Sequence, residues 1–314
     1  MVNAIAITPV RPSPIAPLGQ ERYWYWRGWR IRYTVLLPKD PAKRDAAPLL
    51  LVHGFGASLN QWRDNLPGLA QHRPVYALDL LGFGDSQKPA VPLGSNLWQA
   101  QVYDFWQQWI QRPMVLVGHS LGSLVTLDLA IAHPEIIHRL VMITLPAARQ
   151  ELVAGWIDAF ARPIERLFST PLLIRPLFYW VRRPSVLRAT LRSIYKRRDR
   201  VDAALVEQYA QPPRDRGAAR TLCYLVRSRT AANFTPATKP LVAQLQLPTL
   251  LLWGETDQVI PIAWGKQLAP LNPLVTFKPV PGGHCLYDEE PEIFNQYLLD
   301  WLQESGCSPA NALG

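Results

Sequence analysis

The sequence predicts an α/β fold: a mostly parallel central sheet flanked by helices, with a helical cap inserted late in the sheet. Three observations carry this. Short, wholly apolar runs alternate with helix-length segments through residues 49–143, the pattern of a sheet covered on both faces. That alternation stops over 149–240 and resumes at 247. Finally, Met114-Val115-Leu116-Val117 runs into Gly118-His119-Ser120-Leu121-Gly122 and then an apolar, small-residue helix pattern. This is a strand, a sharp turn and a helix, with a serine at the apex, the setting a nucleophilic serine requires.

The first element reads as a β-hairpin. Tyr23-Trp24-Tyr25-Trp26 and 29–36 flank Arg27-Gly28; the second arm alternates apolar and polar residues, and aromatics favour strands. Leu49-Leu50-Leu51-Val52 suits a strand buried on both faces. It ends in His53-Gly54-Phe55-Gly56. Residues 60–71 read as a helix with Trp62, Leu66 and Leu69 on one face. Residues 75–80 form another buried strand, leading into Leu81-Gly82-Phe83-Gly84-Asp85-Ser86. Those glycines do not make a dinucleotide loop, because the third glycine is missing and no helix start follows. An amphipathic helix spans 96–110. The helix after Ser120 runs to about His133, since a residue before proline (Pro134) disfavours helix. Further strands are expected at 138–143, 247–253 and 275–280, and helices at 262–268 and 293–302. The stretch 149–240 looks helical, broken by Pro163, Pro171, Pro176, Pro184 and Pro212-Pro213. The domain reading is a core of 21–148 and 241–306, a cap of 149–240, a disordered proline-rich tail of 1–20 and a tail of 307–314.

Bulk properties narrow the function classes. The net charge of +9 is concentrated: residues 149–230 hold 17 Lys/Arg against 7 Asp/Glu, and the rest is close to neutral. That stretch lacks any nucleic-acid-binding motif, so no nucleic-acid partner is expected. Cys223, Cys285 and Cys307 form neither a C-x-x-C pair nor an even framework, so neither disulfides nor a cysteine-bound zinc is expected. No apolar run reaches the length of a membrane span, and residues 1–20 lack the basic start and apolar centre of a secretory signal.

A serine hydroxyl is a poor nucleophile at neutral pH and needs a base within hydrogen-bond reach, itself oriented by an acid. On a strand–turn–helix serine the partners follow in the order acid, then histidine, on loops at the carboxyl ends of strands. His284, in Pro281-Gly282-Gly283-His284, lies after the last strand and is the expected base. Trp253-Gly254-Glu255-Thr256-Asp257 supplies the acid: Asp257, deeper in its loop, is favoured and Glu255 is the alternative. The oxyanion needs N–H donors, expected from the backbones of Leu121 and Phe55. No metal or organic cofactor is required. The bland reading of Ser120 is a helix cap. His119, beside the serine but pointing away from it, is a candidate substrate contact, as are Phe178 and Trp180 of the cap.

With these residues placed, the chain resembles the α/β-hydrolase superfamily over about residues 21–148 and 241–304. The carriers are His53-Gly54-Phe55-Gly56, Gly118-His119-Ser120-Leu121-Gly122, Gly254-Glu255-Thr256-Asp257 and Gly283-His284. Serine at 120 sets it apart from haloalkane dehalogenases and epoxide hydrolases, whose pattern puts aspartate there. More narrowly, Trp29-Arg30-Ile31-Arg32-Tyr33, Leu51-Val52-His53-Gly54-Phe55-Gly56-Ala57-Ser58, Gln61-Trp62-Arg63 and Ala77-Leu78-Asp79-Leu80-Leu81-Gly82-Phe83-Gly84-Asp85-Ser86 resemble the chlorophyll dephytylase and pheophytinase group of cyanobacteria and plastids. The chain departs from much of that group at His119, where asparagine is expected, and at Ser123, which replaces a second glycine. The resemblance implies cleavage of the ester between a chlorin ring and phytol. It also implies a place in the cytoplasm or on the surface of a photosynthetic membrane. The alternatives are a general esterase or lipase, a carbon–carbon bond hydrolase with the same three residues, and a non-catalytic pigment or lipid binder.

Residues 171–183 set Leu172, Leu173, Ile174, Leu177, Phe178, Tyr179 and Trp180 beside Arg175, Arg182 and Arg183. An apolar face rimmed by arginine fits a helix at an anionic membrane surface; it equally fits a helix packed on the core with its arginines solvated.

Overall fold

The computed structural model describes residues 18–152, 170–229 and 234–304. The strands among them are β1 (Arg22–Trp26), β2 (Trp29–Leu36), β3 (Leu49–Val52), β4 (Val75–Leu78), β5 (Met114–His119), β6 (Ile137–Ile143), β7 (Thr249–Gly254) and β8 (Val275–Val280). They form one sheet in the order β1-β2-β4-β3-β5-β6-β7-β8. The pairs β1–β2 and β2–β4 are antiparallel and all the others are parallel. The first pair closes on Arg27 (φ 50°) and Gly28 (φ 83°), two left-handed residues whose twist matches that of the strands.

The inner strands feed two cores. In β5, Met114 and Leu116 enter one apolar cluster, and Val115 and Val117 the cluster on the opposite face. β3, β6 and β7 alternate in the same way, which is why their sequences read as unbroken apolar runs. The longer helices are α1 (Ser95–Phe105), α2 (Leu121–Ala132), α3 (Pro171–Val181), α4 (Pro184–Ile194), α5 (Ala203–Ala210), α6 (Ala218–Arg229), α7 (Ile262–Leu268) and α8 (Pro291–Glu304). Trp98, Val102 and Phe105 of α1 and Leu124 and Val125 of α2 cover one face; Phe294, Leu298 and Trp301 of α8 cover the other. Each fully buried side chain of this size contributes roughly 1.5–3 kcal/mol.

The helix expected over 60–71 is broken. A 3₁₀ turn at Leu59–Trp62 and a single α-turn at Leu66–Leu69 replace it, because Pro67 has no N–H to give and Gly68 weakens what remains. The strand expected over 75–80 ends at Leu78. There the Asp79 carboxylate draws the chain aside by accepting from the N–H groups of Leu59 (2.7 Å) and Asp85 (2.7 Å). Of the expected tails, residues 1–17 and 307–314 lie outside the described residues, as do 153–169 and 230–233 of the expected cap. Leu18–Gln20 pack along β2 instead of trailing free: Gln20 N–H donates to Val35 O (3.2 Å), and Leu18 sits against the second core.

Between β6 and β7, α3 packs on α6 and α4 on α5. A small third cluster, with Leu191, Tyr195, Leu205 and Val206, closes over Cys285, the residue after His284.

Candidate active site

Ser120 joins β5 to α2 with φ 51° and ψ −115°, a conformation rarely adopted by a residue that carries a Cβ. Its N–H donates to Ile143 O (2.9 Å), so β6 holds the turn. Gly122 is required by close approach: a Cβ there would stand 2.4 Å from the carbonyl oxygen of Val52 and 2.7 Å from that of His53. Ser123, the departure from the resembled pattern, straps the same turn. Its hydroxyl bonds the carbonyls of Gly118 (2.7 Å) and Ile143 (3.0 Å). The Ser120 side chain makes no capping bond to α2, which answers the bland reading of it.

The acid and the base come from the loops after β7 and β8. Gly254 lets these loops touch, since a Cβ there would lie 2.1 Å from Gly283 O. Thr256 N–H then donates to Gly282 O (3.1 Å). His284 Nδ1–H donates to Asp257 Oδ2 (2.9 Å), which leaves the lone pair on Nε2. The other carboxylate oxygen of Asp257 accepts from Val259 N–H (2.8 Å) and Ile260 N–H (2.9 Å), so the acid is fixed at both ends. Glu255, the alternative acid, is exposed and the structure does not bring it to His284. The Ser120 hydroxyl bonds no described residue, His284 included; in unliganded enzymes this contact is often long. The N–H groups of Phe55 and Leu121 have no acceptor among the described residues, although Leu121 is buried. Unengaged amides of this kind are what a negative oxygen needs.

His119 is not a substrate contact. It is 3% exposed, and both ring nitrogens are occupied by protein. Nε2–H donates to the His284 carbonyl (3.0 Å), and Nδ1 lies within hydrogen-bond distance of the Tyr287 hydroxyl (3.1 Å). Burial, reinforced by the neighbouring His284, holds its pKa well below the ordinary value and keeps the ring neutral. Its job is to carry the backbone of His284. Phe178 lines a cleft between α3 and α6 that none of Ser120, Asp257 and His284 lines, and Trp180 is 52% exposed. The structure brings neither of them to the serine.

The supports behind His284 escaped the sequence reading. Tyr287 also reaches the Gln61 side-chain amide, which bonds the Tyr209 hydroxyl of α5 (2.7 Å). The Glu289 carboxylate accepts from Gly283 N–H (3.0 Å) and from Arg197 N–H (2.9 Å), tying the histidine loop to the segment after α4. Burial pushes the Glu289 carboxyl pKa up. Asp288, fully buried, pairs with Arg63 (2.8 Å) and accepts from the Tyr195 hydroxyl (2.6 Å). The available signal was Asp288-Glu289-Glu290: three consecutive acids four to six residues after His284, just before an apolar helix, need donors nearby.

Residues 47–291 match the family model of the alpha/beta hydrolase fold. The chain belongs to the alpha/beta hydrolase family. It is similar to an uncharacterized hydrolase, YugF, of Bacillus subtilis, at 26% identity over 81% of this chain and 89% of that one. A human (lyso)-N-acylphosphatidylethanolamine lipase is 27% identical over 82% of this chain and 79% of its own length. Among solved structures, a membrane phospholipase A described as a bacterial virulence factor superposes with a TM-score of 0.72 at 25% identity, covering 92% of this chain and 87% of that one. This alpha/beta hydrolase is thus a hydrolase with lipase relatives.

Proposed function

We propose that the protein is a serine hydrolase of carboxylic esters whose substrate is bulky and hydrophobic. The observation that carries this is the Asp257–His284 pair (2.9 Å) at the strand ends beside a strained, uncapped Ser120. Ser120 Oγ attacks the ester carbonyl while His284 Nε2 takes its proton. Asp257 holds the ring and stabilises the imidazolium, and the amides of Phe55 and Leu121 receive the oxyanion. His284 then protonates the leaving alcohol and activates the water that clears the acyl-enzyme.

The favoured substrate is chlorophyll or a related phytyl ester, which rests on the sequence resemblance at 29–33, 51–58, 61–63 and 77–86. The lipase relatives support a greasy ester in general. Residues 149–240 act as the cap in this reading. α3 meets a membrane with Leu172 (81% exposed), Leu177 (58%) and Trp180 outward. No described helix is long and apolar enough to cross one.

The deciding experiment incubates the protein with chlorophyll a in detergent and follows chlorophyllide and free phytol by chromatography, with Ser120→Ala alongside. Release by the wild type alone is expected. Release by both would sink the mechanism. Absence of release with a short-chain nitrophenyl ester still cleaved would remove the phytyl substrate and keep the esterase.

A further inference from the structure

Arg175, Phe178, Tyr179 and Arg182 are spaced i, i+3, i+4 and i+7, so they share one face of α3. That face lines a cleft of about 560 Å³. Its other wall brings Arg214, Arg216 and Arg220, at and before the first turn of α6. Five guanidinium groups therefore line one space, against the single carboxylate of Asp215. Asp215 is already held by the buried Lys88 ammonium (3.1 Å), and Arg214 by Glu207 (2.7 Å). Arg175, Arg216 and Arg220 have no ion-pair partner among the described residues. Arg182 is set in place: Nη1 donates to Pro213 O (3.2 Å), and the guanidinium lies 4.3 Å from the Tyr179 ring centroid.

Like charges gathered in a cleft repel one another, and a folded chain gains nothing from the arrangement unless an anion completes it. Planar guanidinium forks bind carboxylate and phosphoryl oxygens in pairs, and a phosphoryl group, with three or more oxygens and up to two charges, can engage several forks at once. Phe178 and Tyr179 add an apolar shelf beside the charges. We propose that the cleft between α3 and α6 is an anion site, separate from the hydrolytic centre, that takes a phosphate monoester or diester. Its ligand comes either as a soluble phosphate compound or as the headgroup of a lipid. In the second case the exposed Leu173, Leu177 and Trp180 of the same helix enter the acyl layer beside it. The site does not rest on the esterase reading, because no residue of the hydrolytic centre lines it.

The test uses the full chain and two probes, glycerol 3-phosphate by titration calorimetry and sedimentation with phosphatidylcholine vesicles made with or without phosphatidic acid. The variants are Arg175→Gln/Arg182→Gln and, as a charge-matched control, Arg192→Gln/Arg198→Gln, two exposed positions that do not line the cleft. Wild type should bind at least one probe, and the first variant should bind it about tenfold or more weakly, the scale of lost charge-assisted hydrogen bonds. The control should stay within about twofold of wild type. Binding of glycerol 3-phosphate assigns a soluble ligand; binding only of phosphatidate vesicles assigns a lipid. The proposal is overturned if wild type binds neither probe, or if the control loses as much as the cleft variant. Cleavage of a soluble nitrophenyl ester should be unchanged in both variants, which shows that they fold and keeps the two readings separable.

Discussion

Leu116 of β5 and Leu177 of α3 are the same side chain with opposite fates: the first is 0% exposed and the second 58%. Both stand in strongly apolar runs. The β5 run is explained by its surroundings, since every side chain along it meets one of two cores. Among the described residues, packing does not explain the α3 run. Only Ile174 of that helix is buried, and its arginines turn to a cleft, not to carboxylates. Apolarity in the sheet therefore records folding. Apolarity on α3 has no such partner among the described residues.

If the hydrolytic centre is built by the sheet alone, the largest losses of activity should come from residues on strand-end turns. Ser120→Ala should lower ester turnover by up to about 10⁶-fold with folding intact, measured by steady-state kinetics beside circular dichroism. Asp257→Asn should cost about 10⁴-fold, since the amide favours the wrong His284 tautomer. Survival of activity in either would break the assignment. Next comes the turn itself. Gly122→Ala drives a methyl into the Val52 and His53 carbonyls and should cost about 3 kcal/mol of stability by urea titration, near the upper end for overpacking.

A smaller effect is the acid response of the two histidines buried against the sheet. Burial lowers the pKa of both His53 and His119 from the ordinary 6.5, so below that value the unfolded chain takes up protons that the folded chain refuses. Stability should fall as pH drops through about 6.5 and below, by up to about 1.4 kcal/mol per pH unit for each histidine. His119→Asn should remove one of the two contributions, which urea midpoints at pH 7.5 and 5.5 will show. The smallest change belongs to α3. Leu177→Ser/Trp180→Ser should alter stability by no more than about 0.5 kcal/mol for each site and leave soluble-ester cleavage intact. A large loss there would mean that α3 is packed after all, and would erase the contrast.

Much of the sheet was legible because wholly apolar runs have few other uses. The serine turn was legible because Gly118 and Gly122 leave no room for side chains. The choice between Asp257 and Glu255 needed coordinates: both lie on one loop, and only geometry buries one and exposes the other. The 60–71 segment misled because Trp62, Leu66 and Leu69 keep helical spacing although the backbone between them is interrupted. His119 looked available because it adjoins the serine; its partner Tyr287 is distant in sequence. The arginine cleft was invisible for the same reason, since it joins Arg175 and Arg182 to Arg216 and Arg220 only once α3 and α6 are side by side.

The excursion that carries α3 to α6 leaves after Ile143 and returns at Thr249, on two strands that are hydrogen-bonded neighbours (Leu140 opposite Thr249). It leaves at the carboxyl end of one strand and returns at the amino end of that strand's parallel neighbour, interrupting no other strand of the sheet. Such a segment can be lengthened, shortened or exchanged during evolution as one piece. A lineage could acquire a new substrate by replacing this cassette while the turns that hold Ser120, Asp257 and His284 stay as they are.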